Sequence, residues 1–155
     1  MEYLVLTDTH GETKLISQVL KKHKDIKNIM FLGDVLSDLN MLNFSQYNII
    51  AVKGNCDFFA NCETEQLIKF SKVSLLLTHG HNFGVKAGTE KLKEYAKQNK
   101  VNVVIYGHTH KQQYLVEDGI TLINVGSLKS SKSYGVINIT DNKTEINFLS
   151  LNGEE

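Results

Sequence analysis

Two packed β-sheets with helices on their outer faces are the α/β (α+β) fold that this sequence predicts. Three observations predict it. Five short apolar runs, Tyr3–Leu6, Ile29–Leu32, Ile49–Val52, Val73–Leu77 and Val101–Tyr106, are aliphatic and rich in β-branched residues, as strands buried on both faces are. Stretches with helical apolar spacing lie between several of these runs, which implies parallel β-α-β units. After Tyr106 the pattern changes to paired strands around turn residues, which implies antiparallel β-structure.

Taken in order, Tyr3–Leu6 is followed by a helix whose Leu15, Ile16, Val19 and Leu20 share one face after Gly11. Leu36, Leu39 and Leu42 give a shorter helix between the second and third runs. Leu92, Tyr95 and Ala96 mark a further helix before Val101–Tyr106. Lys111–Glu117 and Ile120–Val125 flank Asp118-Gly119, a two-residue hairpin signal. Tyr134–Thr140 and Thr144–Leu149 flank Asp141-Asn142-Lys143, a second hairpin. No linker, repeat or low-complexity segment interrupts the chain, so residues 1–155 read as one domain.

Composition narrows the function. The formal net charge is zero, which argues against a strongly basic nucleic-acid binder, because phosphate backbones are held mainly by Lys and Arg. No apolar run reaches the length of a membrane-spanning helix, and the first residues lack a signal-peptide pattern. Cys56 and Cys62 match no zinc motif and read as reduced thiols of a cytoplasmic protein. The sequence contains neither Pro nor Arg. Any bound phosphate must therefore use metals, His, Lys or backbone N–H groups instead of the guanidinium fork.

The polar residues that follow the apolar runs carry the chemistry. After Leu6 stand Asp8 and His10; after Leu32, Gly33-Asp34; after Val52, Gly54-Asn55; after Leu77, His79-Gly80-His81; after Tyr106, Gly107-His108-Thr109-His110. Sites in open α/β sheets form at the carboxyl ends of strands, where residues distant in sequence converge. Asp, Asn and His without thiolate ligands suit Mn²⁺, Fe, Zn²⁺, Co²⁺ or Ni²⁺ better than Mg²⁺ or Ca²⁺. Seven donors exceed what one ion needs, whereas two ions sharing a carboxylate would use them all. Each piece alone has a plainer reading. Asp-x-His or Gly-Asp is ordinary turn chemistry, and a lone His after a strand is commonly structural. The ordered conjunction of all five is what points to a site.

That ordered pattern resembles the calcineurin-like metallophosphoesterase superfamily. The chain length and Gly54-Asn55-Cys56-Asp57 resemble its small bacterial and archaeal phosphodiesterase branch, the YfcE- and MJ0936-like proteins. The resemblance implies a four-layer α-β-β-α sandwich of two mixed β-sheets flanked by helices. It implies one metal site of Asp8, His10, Asp34 and His110, and a second of Asn55, His79, His108 and the bridging Asp34. Asp8, Asp34, Asn55, His79 and His108 would also carry catalysis. Two divalent ions, Mn²⁺ foremost, would serve in-line hydrolysis of a small phosphodiester by a hydroxide bridging the ions. Two carboxylates against two divalent ions and that hydroxide leave the site about one unit positive, which suits a diester anion.

Two departures stand out. Larger relatives place a His after the Asn ligand; this chain has Cys56, which favours diester over monoester hydrolysis. The branch often has Asn-Pro-Gly-Ser late in the chain, where Asn124-Val125-Gly126-Ser127 stands here, so the shape of the loop 124–133 does not follow from the resemblance. His81 and Cys56, each beside a ligand, are candidates for protonating the leaving group or supporting a ligand. Cys56 otherwise reads as a small packing residue, and His23, in a Lys-rich helix end, as surface. Lys53 and Lys86 are phosphate-contact candidates, although most lysines are simply solvated. The competing functions are a non-catalytic scaffold of the same fold for protein partners, and a nuclease of the same superfamily. An apolar face on the late hairpins would allow a homodimer.

Overall fold

Alternation along the first strand shows how the layers arise. In β1 (Glu2–Leu6), Leu4 and Leu6 point one way and Tyr3 and Val5 the other, and all four are buried. A strand with two buried faces must be covered on both, by a second sheet on one side and a helix on the other. The computed structural model describes residues 1–42, 45–57 and 61–153.

The first sheet has the order β10-β9-β1-β2-β3, with β2 at Asn28–Phe31, β3 at Asn48–Ala51, β9 at Ser133–Ile139 and β10 at Thr144–Ser150. β1, β2 and β3 run parallel, and β9 joins β1 antiparallel. The second sheet has the order β4-β5-β6-β8-β7, with β4 at Glu65–Phe70, β5 at Val73–Thr78, β6 at Val103–Tyr106, β7 at Gln112–Glu117 and β8 at Ile120–Val125. β5, β6 and β8 are parallel inside two antiparallel edges.

Tyr3, Val5, Met30, Leu32, Leu75, Leu77, Ile105, Ile123 and Ile137 fill the space between the sheets. Ile16 and Val19 of α1 (Thr13–Lys22) cover the outer face of the first sheet against Leu4, Leu6 and Phe31. Leu92 and Ala96 of α2 (Glu90–Gln98) cover the second against Leu76, Val104 and Leu122. This is the four-layer sandwich of two mixed sheets that the resemblance implies. Among the described residues, no helix is long and apolar enough to cross a membrane.

The structure adds to these expectations and corrects some of them. β4 is absent from the sequence reading, because Glu65-Gln66-Leu67-Ile68-Lys69-Phe70 is an edge strand that leaves Leu67 and Lys69 exposed and shows little apolar signal. The late segment forms the two antiparallel hairpins that the sequence implies. Its two hairpins go to different sheets, and β8 pairs parallel with β6. The Leu36–Leu42 helix is a 3₁₀ helix over Leu36–Met41. His23 is also not a free surface residue: its ring packs on Tyr134, with Nε2 2.9 Å from the phenol oxygen.

Candidate metal centre

The parallel strands β1, β2, β3, β5 and β6 deliver the donors at one edge of the sandwich, and the chain turns sharply as it leaves several of them. Asp8, His10, Asp34, His108 and His110 all adopt left-handed backbone, with φ between 43° and 72°. Asp and His tolerate this conformation better than most residues, but it costs free energy, and such strain gathers at functional sites. Three glycines let the turns approach one another. A Cβ on Gly54 would lie 2.1 Å from Asp34 Oδ1, one on Gly33 2.4 Å from the Gly54 nitrogen, and one on Gly107 2.4 Å from Thr7 Oγ1.

The structure brings the seven expected donors together. Asp8 is fully buried; Thr7 Oγ1 (2.7 Å) and the His108 amide (3.1 Å) donate to its Oδ2. Oδ1 is left facing His110 Nε2 at 3.1 Å, with His10 and His79 Nε2 each at 3.7 Å. Asp34 is arranged alike. The Cys56 amide donates to Oδ1 (2.8 Å), and Oδ2 faces His79 Nε2 at 3.2 Å and His10 Nε2 at 3.9 Å. Each carboxylate thus has one oxygen held by the protein and one turned inward. His79 Nδ1 lies 2.7 Å from the Leu32 carbonyl, so it donates there and aims Nε2 inward. That Nε2 lies 3.1 Å from Asn55 Oδ1 and 3.2 Å from His108 Nδ1.

The electrostatics follow from this crowding of acceptors. Burial alone would raise the Asp34 carboxyl, but hydrogen bonds from His79 and the Cys56 amide hold it well below the usual carboxylate range. Burial likewise opposes charge on His79, but Asp34 and Asp8 together raise it above the ordinary imidazole value. Burial, His79 and Lys86 push His108 down to about 4. A proton on His79 therefore stands where a larger cation would satisfy more donors.

The residues fit a metal centre by two observations. His10 Nε2 is buried without a hydrogen-bond partner while facing two carboxylate oxygens, the spacing of ligands around an ion. Ligand atoms of Asp8, His10 and His110, and separately of Asp34, His79 and His108, lie within 4.8 Å of one another.

Residues not read from the sequence support the donors. Asp57 is buried and accepts three backbone N–H groups, from Asp34 (2.9 Å), Gly54 (2.8 Å) and Leu36 (2.7 Å). Asp38 accepts from Thr9 Oγ1 (2.5 Å) and the Gly11 amide (2.8 Å), fixing the Asp8–His10 turn. In the late loop, Asn124 Nδ2 donates to the Gly107 carbonyl (3.1 Å), Ser127 Oγ donates to the Asp8 carbonyl (2.9 Å), and Ser130 Oγ meets His110 Nδ1 (2.9 Å). Asp57 stood inside the quoted motif; its position after Gly54-Asn55 was the one available signal.

The remaining expected residues divide. His81 lies beside the centre, its ring 5.5 Å from His79 and 6.3 Å from His108, with a buried Nδ1 that lacks a partner. Cys56 corrects the packing expectation: it is exposed, and its Sγ lies within 4.8 Å of donor atoms of His10 and Asp34.

A four-layer sandwich with Asp, Asn and His donors converging from five strand ends defines a metal-binding hydrolase architecture. The calcineurin-like phosphoesterase superfamily domain model matches residues 1–142, and the chain belongs to that superfamily. It is 27% identical to the probable metallophosphoesterase YsnB of Bacillus subtilis, over 100% of this chain and 94% of that protein. It is 29% identical to the phosphodiesterase YfcE of Escherichia coli, over 88% and 87%. Among solved structures, a single-substitution variant of Vps29 from Entamoeba histolytica superposes with a TM-score of 0.78 at 21% identity, covering 96% of this chain and 98% of that one, which shows the shared fold.

Proposed function

We propose that this protein is a metal-dependent phosphodiesterase acting on small phosphodiesters. The observation that carries the proposal is the cluster of inward-facing acceptors around His79 Nε2 and His10 Nε2, with few donors to satisfy them. Asp8, His10, Asp34 and His110 would hold one divalent ion, and Asp34, Asn55, His79 and His108 a second. Divalent ions so held supply Lewis acidity toward a phosphate ester and make water acidic enough to ionise near neutral pH.

The chain's own residues do the rest. Thr7, the His108 amide and the Cys56 amide orient the two carboxylates before any ligand arrives, so little reorganisation is needed. The Leu32 carbonyl, an acceptor only, selects the His79 tautomer that leaves Nε2 as the ligand atom, and Ser130 Oγ holds the His110 ring through Nδ1. His81 lies at the rim, where it can meet a departing alkoxide. Cys56 fills the position that in larger relatives holds His, and its exposed thiol, raised by burial and by Asp34, is a poor acid at neutral pH. This favours diesters, whose alkoxide carries less need for a strong acid when it is a good leaving group.

The test uses bis-p-nitrophenyl phosphate. Protein stripped by a chelator should be inactive and recover with Mn²⁺. Turnover that survives both chelation and Asp34→Asn refutes the proposal. Turnover by the metal-loaded protein separates this reading from a non-catalytic scaffold of the same fold, which requires none.

A further inference from the structure

A cavity of about 660 Å³ opens beside the metal centre, between the segment leading into α2 and the start of β7. Two of its lining residues border the donors along the chain: Thr109 lies between His108 and His110, and Lys111 follows His110. Its volume falls within the range of sites that enclose a whole small molecule, and exceeds what a minimal diester needs.

The lining is polar and cationic. Lys86 and Lys111 line it from two different segments, one before α2 and one between His110 and β7. Neither forms an ion pair among the described residues, so both ammonium groups are available to a ligand. The acid at the cavity, Glu90, is exposed and lies 3.9 Å from Lys93 outside it. Tyr106, almost wholly buried, donates its hydroxyl to Gln113 Oε1, which fixes that amide and leaves its N–H₂ group as the free donor end. With no Arg in the chain, lysine ammonium groups are the cationic side chains that such a cavity can offer a phosphate.

We infer that this cavity receives one half of the substrate, and that this half carries a second phosphate group, held by Lys86 and Lys111. The substrate class is thus a nucleotide-sized phosphodiester with an additional terminal phosphate. In the reaction, water adds to the diester phosphorus, the P–O bond to one alcohol breaks, and that oxygen takes the proton. The inference rests on the phosphodiesterase reading above.

The experiment compares the dinucleotide d(TpT) with its 5′- and 3′-phosphorylated forms on Mn²⁺-loaded protein, for wild type and the Lys86→Ala/Lys111→Ala variant. Wild type should prefer one of the phosphorylated forms by about tenfold or more in kcat/KM, as one charge-assisted contact allows. The variant should lose that preference, its kcat/KM on the favoured phosphorylated form falling about tenfold or more toward the value for d(TpT). Calorimetry with thymidine 3′,5′-bisphosphate should show binding that weakens about tenfold or more in the variant, with little change for thymidine. Hydrolysis of bis-p-nitrophenyl phosphate with no lysine-dependent preference overturns this inference alone. Lysine-dependent bisphosphate binding without turnover of any diester sinks the phosphodiesterase reading and leaves the phosphate-binding cavity standing.

Discussion

Replacing Asp57 by Asn tests whether this buried carboxylate holds the two halves of the centre together. Its Oδ2 accepts the Asp34 and Gly54 amides and its Oδ1 the Leu36 amide. An Asn of the same shape can offer one oxygen to the first pair, but its N–H₂ then confronts the Leu36 N–H, donor against donor. Losing one charged hydrogen bond in a buried setting costs about 1.5–3 kcal/mol. For a chain of this size each kcal/mol lowers Tm by roughly 2–4 °C, so a fall of about 3–12 °C is expected. Asp57→Ala leaves three amides without this acceptor and should cost more than Asn. Because Asp34 and Asn55 flank these amides, metal affinity should fall as well, by about tenfold or more, as for other groups that orient metal ligands. Circular dichroism melting of metal-free protein gives the first quantity and calorimetric Mn²⁺ titration the second. An Asn variant that melts with the wild type and binds Mn²⁺ equally would refute the assignment.

Three further outcomes are expected. Gly54→Ala would place a methyl 2.1 Å from Asp34 Oδ1, so the carboxylate must move; bound-metal analysis and diester turnover should both drop sharply. Ser130→Ala removes the hydrogen-bond partner of His110 Nδ1 and should weaken one Mn²⁺ site by about 10–100-fold while sparing the other, which a two-site titration reads. Metal-free protein should lose stability as pH falls from 6.5 toward 4 on account of His108. Its imidazole titrates at about 4 when folded against 6.5 ordinarily, so the unfolded chain binds the extra proton across that window. The Tm advantage of wild type over His108→Ala should therefore shrink over that window; a constant difference counts against it.

Most of the strand frame was legible, because strands buried on both faces are continuous apolar runs. β4 was not, since an edge strand with exposed Leu67 and Lys69 lacks that signal. The sheet membership of the late hairpins was hidden too. Asp118-Gly119 specifies a local reversal, but the parallel pairing of β8 with β6 is decided by packing. Cys56 and His23 were misplaced because exposure depends on neighbours that local sequence does not reveal.

The sequence by itself determined which donors stand at the strand ends and in what order, since a residue following a buried run is carried to the sheet edge by covalent connection alone. The tertiary structure decided what makes those donors a site. Ser127 reaches the Asp8 carbonyl across 119 residues, Asp57 ties Asp34 to Gly54, and Lys86 and Lys111 meet around one cavity. The two hydrogen-bonded ties need segments packed within about 3 Å, and the cavity needs its walls set by packing; no local pattern encodes either.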